Sequence, residues 1–314
     1  MIIAFVGPTA SGKSDLALDV IEALAELRGV SAASLAQVVG ADAMQLYRGM
    51  DVGTAKLPPS ERRGITHHQI DVLDLDQEAS VAAYQRHARA DVAAIRAQGA
   101  LPVVVGGSGL YIRALLDEID FPGTDPAVRA ELETEADVIG PRGLHQRLQE
   151  LDPVAATQIE PGNVRRVVRA LEVIALTGRP FSATMPAYTY HHEPTYQFQI
   201  DVPREELDRR IDHRSQAMFD AGLVEETREL LRRGLAHAPT AARATGYAQA
   251  MDVIAGRLTE RDAVDAVARA TRQLARKQLK WFRRDPRIHL LPWEGGVDAV
   301  ACARHIDALL PAKA

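Results

Sequence analysis

The chain has 314 residues, 46% of them hydrophobic and 25% charged, with 37 Lys and Arg against 42 Asp and Glu for a formal net charge of −5. This is the composition of a globular protein; the charge excludes an all-over nucleic-acid coat but leaves room for a local basic stripe. One cysteine, Cys302, excludes an internal disulfide framework and a cysteine-built zinc site and fits a reducing cytoplasm. The apolar start "MIIAFV" ends at Gly7, too short for a signal h-region or a membrane span, so a cytoplasmic protein with no membrane partner is expected.

In chain order, "IIAFVG", "AQVVGAD", "HHQIDVLD" and "LPVVVGG" are short apolar runs closing on Gly or Asp, the pattern of strands buried in a parallel sheet. Between the first two, Leu16, Val20, Leu24 and Leu27 fall on one helical face and Gly29 offers a stop. Strand, Gly-rich loop, helix and strand predict a doubly wound α/β sheet with its ligand at the carboxyl ends of the strands. From about residue 113, "DPAVRAELETEADVIG", "PRGLHQRLQELDP" and "NVRRVVRALEVIALTG" predict a mostly helical insertion. Beyond it, "TYQFQIDVP" and "RIHLLP" return as strands around long helical stretches. The expected division is 1–112 as the first part of the core, 113–190 as the insertion, and 191–314 as returning core segments with a C-terminal basic helix.

Gly7, Pro8, Thr9, Ala10, Ser11, Gly12, Lys13 and Ser14 fit G-x-x-x-x-G-K-[ST] between a strand and a helix, which predicts a P-loop NTPase-like fold and a bound phosphate. Backbone N–H groups and the helix N-terminus would cradle the oxyanion, Lys13 neutralise it and Ser14 ligate Mg²⁺. Asp42, directly after the second strand, should project above the loop. Two roles fit it, a Mg²⁺ ligand or a general base. Near the C-terminus, Arg269, Arg272, Arg276, Lys280, Arg283 and Arg287 recur at spacings of three or four opposite Val264, Val267, Thr271, Leu274 and Trp281. With Arg165, Arg166 and Arg169 on the insertion, they suggest a track for an RNA backbone. Tyr47, Tyr111 and Tyr247 are placed either to stack on a base or to pack.

"GPTASGKS", "ADAMQLYRGMDVGTAK", "VVVGGSGLYIRALL", "NVRRVVRALEV", "RATGYAQ" and "ATRQLARKQLKWFRRD" together resemble bacterial tRNA dimethylallyltransferases, in the same order over nearly the whole chain. The resemblance implies transfer of a dimethylallyl group from dimethylallyl diphosphate to the N6 amine of the adenosine just 3′ of the anticodon, with Mg²⁺ as cofactor and the tRNA anticodon stem-loop as partner of a monomer. By the same resemblance, Thr9 and Lys13 contact the diphosphate, Arg214 supplies an arginine there, Ser14 places Mg²⁺ and Asp42 is the general base. Asp42, Ala43, Met44 and Gln45 then form the target-adenine segment, and Ser108, Arg129, Arg165, Arg166, Arg169, Arg243, Gly246 and Tyr247 face tRNA; the spacing of the basic helix, read by itself, adds Arg276 and Lys280. Ser108 stands where the family usually has Thr. The rival readings are a small-molecule kinase, with ATP on the same loop and Asp42 deprotonating a hydroxyl, and an RNA-binding protein with a vestigial loop.

Overall fold

Ile2, Ile3, Ala4, Phe5 and Val6 are all buried, as a strand covered on both faces requires. They form β1 (Ile2–Val6), followed in the chain by β2 (Ala36–Gly40), β3 (His67–His68), β4 (Leu101–Gly106), β5 (Thr195–Asp201) and β6 (Ile288–Pro292). In this computed structural model, which describes residues 1–184 and 188–310, the six strands make one sheet in the order β3-β2-β4-β1-β5-β6. Every pairing is parallel. Residues 185–187 and 311–314, assigned by sequence to the insertion and the returning segments, lie outside the described residues.

The chain leaves β1 for β2 and β3 on one side, with β4 inserted next to β1, and later crosses to β5 and β6 on the other. The order therefore reverses at β1, whose carboxyl end opens the crevice where such sheets bind ligands. The helix Lys13–Arg28 starts there and packs into a core with Phe5, Val38, Val103, Phe198 and Ile306. It buries Leu18, Ile21 and Ala25 as well as Leu16, Val20 and Leu24, because the C-terminal helix Ala299–Leu309 packs against it too. Leu27, expected on the buried face, is 47% exposed.

Three expectations need correction. "HHQIDVLD" is a strand only at His67–His68, with one further bridge between Tyr47 and Leu73. Gln69 and Asp71 take φ of 57° and 56°, a left-handed backbone no strand can continue through. The basic helix runs Glu260–Phe282, so Arg283 and Arg287 lie beyond its last turn. Its buried seam is Ala263, Val267, Ala268, Ala275 and Phe282, while Leu274 is exposed. Ala268 and Ala275 pack against Leu207 and Ile211 of the helix Arg204–Asp220, a close approach made by small side chains that leave little trace in an apolar pattern.

By its internal contacts the chain divides into a unit of Met1–Leu116 with Tyr190–Ala314 and a unit of Asp117–Thr189. The second is helical. Pro126–Leu151 breaks at Gly140, whose φ is 74°, just before Pro141, and with Val164–Thr177 it closes a core of Leu132, Leu144, Leu148, Val167, Val168 and Leu171.

Candidate active site

Between β1 and its helix the backbone takes φ of 139° at Gly7, 63° at Ala10 and 83° at Gly12. Such left-handed turns aim successive N–H groups inward as an anion cradle. The Ser11 hydroxyl is buried in this loop without a hydrogen-bond partner, a donor that an anionic oxygen would satisfy. Thr9, Gly12, Lys13, Ser14, Asp42 and Arg214 line one cleft of about 790 Å³. Glu206, Arg209, Arg210 and His213 of the helix Arg204–Asp220 join them, although sequence reasoning had taken only Arg214 from that helix.

Lys13 Nζ donates to the Pro8 carbonyl at 3.2 Å. Burial brings its amino group down from the ordinary 10.5 to about 8, Arg214 adding to the fall while Asp42 and Asp15 oppose it. Burial also lowers Arg214, against the pull of Asp42 and Asp15, yet a guanidinium keeps its charge. Arg214 Nη1 donates to the Thr9 hydroxyl at 3.1 Å, and Nη2 to the Thr54 carbonyl at 3.4 Å. A pH dependence follows for the free protein. Above about pH 8 Lys13 loses the charge an anion needs, so kcat/KM for an anionic donor should fall there, while kcat, reporting the complex in which the anion holds the proton on, should stay level to higher pH. Initial rates across pH 6 to 10 would check it, and parallel profiles for the two constants would contradict it.

Asp42 follows β2. Its Oδ1 accepts the Met44 N–H at 2.9 Å, which fixes the carboxylate. Ser108 holds the next residue, its hydroxyl accepting the Ala43 N–H at 3.2 Å, while its own N–H donates to the Ala41 carbonyl at 3.2 Å. A Cβ at Gly106 would lie 2.2 Å from that same carbonyl, so only glycine lets the Asp42 segment settle over β4. Gln45 Nε2 reaches the Thr54 carbonyl at 3.2 Å. Sequence reasoning missed Gln278. From the basic helix it accepts the Thr9 N–H and donates to the Gly107 carbonyl, both at 2.9 Å, joining two glycine loops; its one cue was an uncharged amide within "ARKQLKW".

Other expected site residues fall elsewhere. Arg276, Lys280 and Arg243 are exposed. Tyr47 and Tyr247 are fully buried and Tyr111 nearly so, which corrects the stacking alternative: these rings pack. Gly246 is also buried, at φ 99°, immediately before the helix Tyr247–Ile254. In the helical unit, Arg129 and Arg169 both bind the buried carboxylate of Glu172, at 2.8 and 2.7 Å, and Arg169 also donates to the carbonyls of Pro122 and Gly123. These two arginines brace their own unit, while Arg165 and Arg166 stand exposed on it.

The family model described as IPP transferase matches residues 45–285. The tRNA dimethylallyltransferase of Kineococcus radiotolerans is 56% identical over 310 residues, 99% of this chain and 96% of the relative. The full-length tRNA isopentenylpyrophosphate transferase of Bacillus halodurans superposes with a TM-score of 0.66 at 34% identity, covering 98% of this chain and 94% of that one. A eukaryotic dimethylallyltransferase solved acting on tRNA shares the fold, with a TM-score of 0.81 at 24% identity over 100% of this chain and 81% of the other. The chain belongs to the IPP transferase family.

Proposed function

We propose that the protein transfers the dimethylallyl group of dimethylallyl diphosphate to the N6 amine of the adenosine 3′-adjacent to the anticodon of tRNA and releases diphosphate. The observation that carries this reading is that the phosphate cradle, the cations Lys13 and Arg214 and the carboxylate of Asp42 line one cleft. Expulsion of diphosphate leaves an allylic cation stabilised by resonance, so the barrier lies largely in the leaving group's developing charge. Lys13 and Arg214 offset that charge. The donor's C–O bond breaks with its electron pair going to diphosphate, the N6 lone pair forms the new C–N bond, and the N6 proton passes to Asp42. That base is needed because the N6 lone pair is delocalised into the ring. An adenine in a single-stranded loop leaves its stack cheaply.

The site suits Mg²⁺: the Ser14 hydroxyl, a hard oxygen, stands at the start of its helix within the same cleft. Bound with the diphosphate, Mg²⁺ would neutralise phosphoryl oxygens, with Ser14 as its protein ligand. Arg276 and Lys280, with Arg165, Arg166 and Arg243, are exposed and would be offered to the tRNA backbone. Replacing Arg276 and Lys280 by Ala should weaken tRNA binding and flatten its dependence on salt by about one unit of log–log slope per lost phosphate contact. Filter binding across a salt series would read this, and an unchanged slope would make the face merely solvated.

The protein would act as a monomer, and a tRNA substrate accords with the cytoplasm. Among the described residues no helix is long and apolar enough to cross a membrane. The test is to incubate the protein and Mg²⁺ with unmodified tRNA and either labelled dimethylallyl diphosphate or ATP labelled at its γ-phosphate. Label should enter tRNA from the first alone. Phosphate transfer from ATP, with none from the prenyl donor, would make the protein a kinase.

A further inference from the structure

The Thr54 carbonyl is a shared acceptor: it takes Arg214 Nη2 at 3.4 Å from the diphosphate side and Gln45 Nε2 at 3.2 Å from the Asp42 segment. Where that carbonyl stands therefore sets two side chains that face different substrates. The Asp51–Thr54 segment has no strand partner; its local bonds run from the Thr54 hydroxyl to the Met50 carbonyl at 2.6 Å and from the Ala55 N–H to the Val52 carbonyl at 3.0 Å. Two charged side chains brace it further. At one side the buried ammonium of Lys56 binds Asp51 and Asp71 at 2.7 and 2.6 Å and the Tyr47 carbonyl at 2.8 Å.

At the other side stands Glu226, in the first turn of the helix Leu223–Arg232. Its Oε2 accepts the N–H groups of Val52 at 2.8 Å and Asp51 at 3.2 Å, and its Oε1 accepts Gly53 N–H at 3.3 Å and the Tyr247 hydroxyl at 2.6 Å. Three successive amides and a phenol on one carboxylate use its full accepting capacity, which an amide side chain, half donor, cannot match. The Tyr247 ring is as tightly placed, since a Cβ on Gly53 would come within 2.4 Å of it. Burial and the adjacent Glu226 push its hydroxyl far above the ordinary range, so it stays protonated and donating.

We propose that Glu226, latched by Tyr247, is a positioning residue for the transfer: it holds the Asp51–Thr54 turn so that the Thr54 carbonyl presents Arg214 to the diphosphate and Gln45 to the target adenine together. The proposal rests on the reaction proposed above. It gives Tyr247 a role inside the protein in place of a tRNA contact, and it makes Glu226 act through other residues on both substrates.

The experiment is a double-mutant cycle on the full chain, read by calorimetric binding of inorganic diphosphate with Mg²⁺ and by single-turnover transfer. Glu226→Gln should weaken diphosphate binding about tenfold, the size of one lost charge-assisted hydrogen bond, and should also raise KM for the donor and lower kcat. In an Arg214→Ala background the same substitution should cost diphosphate affinity little, because the group it positions is gone. An equal loss in both backgrounds, or wild-type binding and transfer by a folded Glu226→Gln protein, would overturn the proposal. If Glu226→Gln does not fold, Tyr247→Phe, which removes one bond and keeps the ring, takes its place in the cycle with the same deciding outcomes. Diphosphate binding is read without turnover, so wild-type protein that binds diphosphate yet modifies no tRNA would count against the reaction and leave the cycle to decide on Glu226.

Discussion

Asp42→Asn should lower kcat by roughly 10² to 10⁴ while leaving affinities for tRNA and dimethylallyl diphosphate nearly unchanged. The asparagine oxygen can still accept the Met44 N–H that orients Asp42, so the turn should survive and the lost function is acceptance of the N6 proton. A magnesium ligand would behave otherwise. Its loss would weaken diphosphate binding and would be partly restored by raised Mg²⁺. Single-turnover rates and both affinities across a Mg²⁺ titration separate the two roles left open by sequence.

Lys13→Met should have opposite effects on activity and on the stability of the free protein. Removing the cation beside the departing diphosphate should cost kcat/KM roughly 10² to 10³, as for a lost donor to a developing anion. The free protein should become more stable, because the Lys13 ammonium is desolvated and its proton is held less tightly than the ordinary 10.5. The sign follows from proton linkage. Between about pH 8 and 10.5 the unfolded chain binds more protons at Lys13, so its penalty on the folded state is whole below about 8 and fades as pH rises through that window. Thermal melts of the two proteins should therefore differ most near neutral pH and converge toward pH 10; a lower melting temperature for the variant would contradict it.

The parts legible in sequence are those whose demands are local. Gly7, Gly12, Lys13 and Ser14 are legible because the loop's turns and the phosphate chemistry ask for those residue types at that spacing, and β1, β2 and β4 because strands buried on both faces must be apolar throughout. What stayed hidden depends on partners distant in the chain. Nothing near Tyr247 says that its ring fills the space left by Gly53, and the amide of Gln278 acquires meaning only when Thr9 and Gly107 stand beside it. Arg129 and Arg169 look like free cations until Glu172 is seen buried between them. The seam of Ala263, Ala268 and Ala275 is invisible to a search for large apolar residues, although small ones allow the closest helix packing.

On the proposed reaction, one cleft holds an allylic diphosphate and delivers its carbon to an adenine amine with Asp42 as base. The most direct test is nucleoside-level mass spectrometry of an unmodified anticodon stem-loop after incubation with the protein, dimethylallyl diphosphate and Mg²⁺, run beside Asp42→Asn. The expected product is a single dimethylallyl group on N6 of the adenosine 3′ to the anticodon, formed by the wild type and nearly absent with the variant at equal times. A modified nucleoside elsewhere, attachment at another atom, or equal product from Asp42→Asn would contradict it.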